Sequence, residues 1–100
     1  MDIQPEEYFE IKEEVFTLDV RTKREFQTLP HFSWATNIEY SDFISNYDYY
    51  LEKFNPNNKP IITVCNAGNR SGQTAQFLLD HGYNARTLSG GVYKYYKKIK

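Results

Sequence analysis

Apolar residues recur along this chain with two different periods, and the switching between them predicts the fold. Ile61-Ile62-Thr63-Val64 is a short β-branched run that ends at Cys65, the pattern of a strand buried in a parallel sheet. Val15 to Val20 reads as a second buried strand, with Asp19 near its C-terminal end, and Asn84 to Leu88 as a third. Ile3 and Thr36 to Ile38 supply two shorter ones. Between these runs the period becomes helical. Pro5 suits a helix start, and Glu6 and Glu7 suit the positive end of its dipole, so a helix is expected to run to about Glu14. Thr22 and Glu25 have capping-box spacing and open a short helix to about Leu29, which Pro30 ends. Ser41 is expected to cap another helix, with Ile44, Tyr47, Leu51 and Phe54 facing the core. Beyond Cys65, Ala75, Leu78 and Leu79 share a helix face, and Gly82 follows in the C′ position. Gly90-Gly91 breaks the chain before a helix over Val92 to Ile99. Strands alternating with helices predict an α/β domain: a central, mostly parallel sheet of about five short strands with helices on both faces.

Composition narrows the setting. One hundred residues fit a single domain over 1–100. Apolar residues make up 40% and charged residues 25%, which suits a globular chain and excludes a disordered one. A net charge of −1 gives no electrostatic reason to expect nucleic acid or a membrane as partner. No apolar run is long enough to span a bilayer. The acidic stretch Met1 to Glu14 lacks an apolar signal core, so a cytoplasmic location is expected. The single cysteine excludes an internal disulfide, suits a reducing compartment and leaves no second thiol to resolve an oxidised Cys65. Aromatics reach 17% and read as packing. Lys94, Lys97, Lys98 and Lys100 form a basic tail, explained by a solvated helix face or by docking to an acidic partner.

The chemistry concentrates where β periodicity gives way to a helix. Cys65 ends a strand, the loop Asn66-Ala67-Gly68-Asn69 follows, and Arg70, Ser71 and Gly72 open the helix. In parallel sheets ligands bind beyond the C-terminal strand ends. Successive N–H groups at a helix start can gather around one anionic atom, and thiols there ionise readily. Gly68 can take a left-handed turn without strain. Arg70 would add positive charge, to draw in an anionic donor or to stabilise the sulfur. Asn66 and Asn69 are either donors to substrate or turn residues. Ser71 either bonds the thiolate or caps the helix, and capping is the simpler role. A merely buried strand-end thiol is the competing explanation for Cys65, but it does not require an arginine, two amides and a helix start within the same few residues. Asp19 and Arg21 are expected to organise strand ends, and Glu25 to serve the cap of Thr22. Trp34 and Tyr95 suit core packing better than a pocket rim. His31 and His81 receive no catalytic role.

Cys65-Asn66-Ala67-Gly68-Asn69-Arg70-Ser71-Gly72 resembles the active-site loop of single-domain rhodaneses, the thiosulfate sulfurtransferase family. Asp19-Val20-Arg21 with Glu25-Phe26 is similar to the family's Asp-x-Arg-x-x-x-Glu-aromatic signature, and Leu88-Ser89-Gly90-Gly91 to its Leu-x-Gly-Gly signature. The likeness covers about residues 3–96. Pro30-His31-Phe32-Ser33-Trp34-Ala35 departs from the family's Gly-His-Ile-x-Gly-Ala, with both glycines replaced, and Tyr95 stands where tryptophan is usual. The resemblance implies the rhodanese fold and a Cys65 nucleophile. Asn66, Ala67, Gly68, Asn69, Arg70 and Ser71 would form the substrate loop. The cysteine would take sulfur from a small anionic donor such as thiosulfate and pass it to a thiol or a protein acceptor. No metal or organic cofactor is implied. A persulfide carrier or regulatory module is the alternative. Cysteine phosphatases of the same fold use Cys-x5-Arg, whereas four residues separate Cys65 from Arg70, leaving less room for a tetrahedral phosphate.

Overall fold

A computed structural model describes residues 1–99, and Lys100 of the basic tail lies outside them. In chain order the elements are β1 (Asp2–Ile3), α1 (Pro5–Ile11), β2 (Phe16–Asp19), α2 (Lys23–Thr28), β3 (Thr36–Asn37) and α3 (Tyr40–Ser45). They continue with α4 (Tyr47–Phe54), β4 (Ile61–Val64), α5 (Asn69–Asp80), β5 (Ala85–Leu88) and α6 (Gly91–Lys98). Among the described residues the strands form one five-stranded sheet in the order β1-β5-β4-β2-β3, and every pairing is parallel.

Strand β4 lies at the centre of the sheet and is buried throughout. Its side chains alternate between the two faces, as a period of two requires. Ile61 and Cys65 join Leu18, Val20, Phe43, Leu51, Ala75 and Leu78 in one core. Ile62 and Val64 join Ile3, Tyr8, Phe32, Leu88, Val92 and Tyr95 in the other. The first core lies under α3, α4 and α5, the second under α1 and α6. The chain leaves β2 toward β3 on one side and leaves β4 toward β5 on the other. The order therefore reverses between β2 and β4, the place where open parallel sheets form a crevice.

Local rules explain most element ends. The capping box at Thr22 is complete: its hydroxyl accepts from the Glu25 N–H, and the Glu25 carboxylate accepts from the Thr22 N–H. Helix α5 closes with Gly82 at φ 86°, the Gly82 N–H on Leu79 O and the Tyr83 N–H on Leu78 O, both bonds of a Schellman end. Among the described residues no helix is long and apolar enough to cross a membrane.

Four expectations are corrected. Helix α1 stops at Ile11 rather than about Glu14, with the Glu14 N–H folded back on Ile11 O. The helix assigned to Ser41 is two helices broken at Asn46. The first is preceded by Glu39, without a side-chain cap. Asn46 binds the Asp42 carbonyl and carboxylate through its own side chain, a local bond that competes with helix continuation. Past this break Leu51 is buried, while Phe54 is 42% exposed and stacks on Tyr50. On α5 the buried stripe is Ser71, Thr74, Ala75 and Leu78; Leu79, one step round the helix, is 40% exposed.

Candidate active site

Cys65 is the first residue beyond β4 and is only 2% exposed. Its surroundings are nevertheless polar on the loop side. Sγ accepts the Gly68 N–H at 3.1 Å. Gly68 holds φ 115° and forms the N-cap of α5, a backbone that a Cβ would strain. The N–H groups of Asn69, Arg70 and Ser71 follow in the first turn, where a helix offers no carbonyl partner. A second helix start meets the same loop. The Val92 N–H of α6 donates to the Cys65 carbonyl at 2.9 Å. Gly91, at φ 67°, makes this approach possible, because a Cβ there would lie 2.3 Å from both the Cys65 and Asn66 carbonyl oxygens. At Gly90 the atoms nearest to a Cβ would be those of the Lys94 side chain.

Beneath the sulfur lies a chain of hydroxyls. The Cys65 thiol donates to Ser71 Oγ across 3.3 Å, and the Thr87 hydroxyl donates to the same oxygen at 2.8 Å. When the thiol ionises, the hydrogen of Ser71 is free to turn toward the sulfur. Thr63 fixes the turn by donating to the Ser71 carbonyl at 2.7 Å. Ser71 is the third residue of α5 and caps nothing, which corrects the simpler role assigned from sequence. Thr63 and Thr87, directly paired across β4 and β5, escaped the sequence reading. Their signal was one hydroxyl residue in each of two short neighbouring strands.

Two ion pairs flank the loop. Arg21 and Asp19 are both fully buried, joined by Nε and Nη2 bonds of 2.8 to 3.2 Å. The remaining Arg21 donors reach Pro30 O and, at 2.8 Å, Asn66 Oδ1. These residues organise the strand end as expected and extend into the cysteine loop. The outer pair is Arg70 and Glu25, bidentate at 2.7 and 2.9 Å. Arg70, with the Thr22 N–H second, lowers the Glu25 carboxyl from 4.5 to about 2; the hydrogen bond to Glu25 in turn raises Arg70. Glu25 thus does more than serve the cap. Asn66 links the pairs: Oδ1 accepts from Arg21, and Nδ2 donates to Glu25 at 3.3 Å. Its side chain is committed to the scaffold. Ala67 and Asn69 are exposed at the loop surface.

Trp34, at one of the replaced glycine positions, joins an aromatic pack. Phe32 is buried, stacked on Trp34 at 4.9 Å and edge-on to Tyr95. Trp34 is partly exposed and donates its indole N–H to Tyr8 Oη at 2.8 Å. Tyr95, 3% exposed, is a core residue. His31 leans on Phe26, and His81 bonds Phe77 O at the end of α5. A groove of about 540 Å³ is lined by Lys23, Phe26, Ile38, Asp42, Tyr50 and Phe54 among others, and by no residue of the loop. Among the described residues no group of three or more His, Cys, Asp or Glu side chains could hold a metal ion.

Comparison with known proteins agrees with this architecture. The family described as Rhodanese-like domain matches residues 5–98. A rhodanese-related protein from Thermoplasma volcanium superposes with a TM-score of 0.84 at 24% identity, over 98% of this chain and 92% of that one. The human single-domain sulfurtransferase TSTD1 gives 0.80 at 20%, over 99% and 97%. A Rhodopseudomonas palustris protein described as a "Possible Tyrosine Phosphatase" gives 0.83 at 16%, over 97% and 80%. No curated protein matches the chain.

Proposed function

Because the chain belongs to the rhodanese-like domain family, we propose that it is a sulfurtransferase working through a persulfide on Cys65. The reading is carried by one arrangement: Sγ lies 3.1 Å from the Gly68 N–H and 3.3 Å from Ser71 Oγ. Both groups can stabilise charge on sulfur, the Gly68 N–H in place and Ser71 by turning its hydroxyl hydrogen. The Cys65 thiolate attacks the outer sulfur of thiosulfate or a related sulfane donor. A new S–S bond forms, the donor's S–S bond breaks, and sulfite or the corresponding anion leaves with the electron pair. A thiol or protein acceptor then attacks the outer sulfur and restores the thiolate. This is covalent catalysis in two displacements, with ping-pong kinetics. The short loop between Cys65 and Arg70 supports sulfur as cargo over a phosphoryl group. A cytoplasmic setting fits a chain whose one cysteine must stay reduced between turnovers.

The test is intact-mass measurement after incubation with thiosulfate and, separately, with polysulfide. One added sulfur atom on the wild-type chain, absent in Cys65→Ser, is the expected result. An unmodified mass with both donors overturns the proposal. A persulfide that forms stoichiometrically but passes to no acceptor would identify a carrier module instead.

A further inference from the structure

The hydroxyls beneath Cys65 fit an anionic sulfur better than a neutral one. Among the described residues Ser71 Oγ has two partners, Sγ at 3.3 Å and Thr87 Oγ1 at 2.8 Å. Ser71 is fully buried, and its hydroxyl has one hydrogen to place. With the thiol protonated, Sγ and Thr87 both donate to Ser71 Oγ, and the Ser71 hydrogen has no acceptor. It gains one only if Thr87 turns to the Thr63 carbonyl, at 3.4 Å, and accepts from Ser71 instead. With the thiol ionised, every hydrogen is placed without that long bond. Thr87 donates to Ser71 at 2.8 Å, and Ser71 donates to Sγ. The bond to sulfur then changes from a weak S–H donation to a charge-assisted one.

Thr87 bonds to Ser71 and not to the sulfur. Its contact with Ser71 is made in both states, so that bond by itself favours neither. What differs is its direction. In the ionised chain the Thr87 O–H points at Ser71 and, through it, at the charge, and hydrogen bonds aligned in this way strengthen one another. In the neutral chain that places every hydrogen, Thr87 points away, at Thr63. Resting on the sulfurtransferase reading above, we infer that Thr87 is a positioning residue that favours the Cys65 thiolate through Ser71. No proton passes along the chain: the thiol proton leaves to solvent, and the two hydroxyls turn in place. The thiolate is the nucleophile of the first displacement and the leaving group of the second, so the same alignment serves both. The charged groups around the loop are Arg70 on Glu25, Arg21 on Asp19 and the Lys94 ammonium on Gln4. None of them bonds to Ser71 or Thr87.

The pH profile of Cys65 alkylation by iodoacetamide tests the inference, because its midpoint follows thiol ionisation and needs no sulfur donor. Thr87→Val removes the hydroxyl and keeps the shape of the side chain. Its profile should move to higher pH, with the thiolate fraction below the midpoint falling about two- to fivefold, the scale on which one hydrogen bond strengthens a charged neighbour. Thr87→Ser keeps the hydroxyl and should give the wild-type profile. Ser71→Ala breaks the link and should lower the thiolate fraction further, on the order of tenfold. Adding Thr87→Val to Ser71→Ala should then change nothing. The relay is overturned by an unmoved profile in folded Thr87→Val, by a Thr87→Ser profile that matches Thr87→Val, by an unmoved profile in Ser71→Ala, or by a further shift in the double variant. Each of these leaves the sulfurtransferase reading standing. Profiles that move as expected, with no persulfide on the wild-type chain from thiosulfate or polysulfide, overturn that reading and leave the relay in place.

Discussion

The two ion pairs beside Cys65 use the same chemical groups in opposite ways. Asp19 and Arg21 are wholly buried, whereas the side chains of Arg70 and Glu25 are 37% and 29% exposed. The inner pair has no water to fall back on, so its donors are spent on Asp19, Pro30 and Asn66. It fixes where the crevice between β2 and β4 opens. The outer pair keeps partial contact with solvent, where screening makes an ion pair weak as a stabiliser. It holds Arg70 beside the cysteine loop. Burial thus separates a pair that supports the fold from one that adds little to stability, although Asn66 touches both.

The largest effect should come from breaking the inner pair. Arg21→Ala leaves the Asp19 carboxylate buried without its counter-charge, held only by the residue 21 N–H, and is expected to cost about 3–5 kcal/mol, measured by urea denaturation. A loss below about 1 kcal/mol would erase the distinction drawn here. Asn66→Ala should be intermediate, at about 1–2 kcal/mol, because it strips one acceptor from Arg21 and one donor from Glu25. Glu25→Gln should cost only about 0–1 kcal/mol, measured the same way. A loss of about 3 kcal/mol or more would make the outer pair architectural too.

The smallest effect is the acid response of the outer pair. The Glu25 carboxyl titrates near 2 in the folded chain against an ordinary 4.5. Its stabilisation is fully present above about pH 4.5 and disappears as pH falls toward 2. The stability gap between wild type and Glu25→Gln should therefore shrink over that window in acid denaturation. A gap that stays constant from pH 5 to about 2 would show that the pair contributes nothing in solution.

What the sequence made readable, and what it hid, follows from the range of the forces involved. Local chemistry was readable: the β-branched run into Cys65, the Thr22–Glu25 cap and the glycine that ends α5 each act within a few residues. The break at Asn46 was hidden because helical spacing continues through Ile44, Tyr47, Leu51 and Phe54 on both sides of it. The Glu25–Arg70 pair was hidden for a different reason. Glu25 and Arg70 are 45 residues apart, and the nearby Thr22 already explained the carboxylate. The site's outline was readable from its motifs. The fate of its charges was not, because that depends on which distant strand ends the topology places side by side.

Gly90 and Gly91 share a left-handed backbone but not the same freedom to change. What crowds position 90 is the side chain of Lys94, its Cβ included, so a shorter residue at 94 does not clear the space unless it is glycine. An asparagine tolerant of positive φ at 90 thus calls for glycine at 94, which costs helix α6 about 1 kcal/mol. Position 91 has no such partner. The atoms that bar it are carbonyl oxygens of Cys65 and Asn66, so relieving the clash means moving the peptide that carries the nucleophile. A change at 90 is therefore coupled to one at 94, while 91 stays tied to the chemistry at 65.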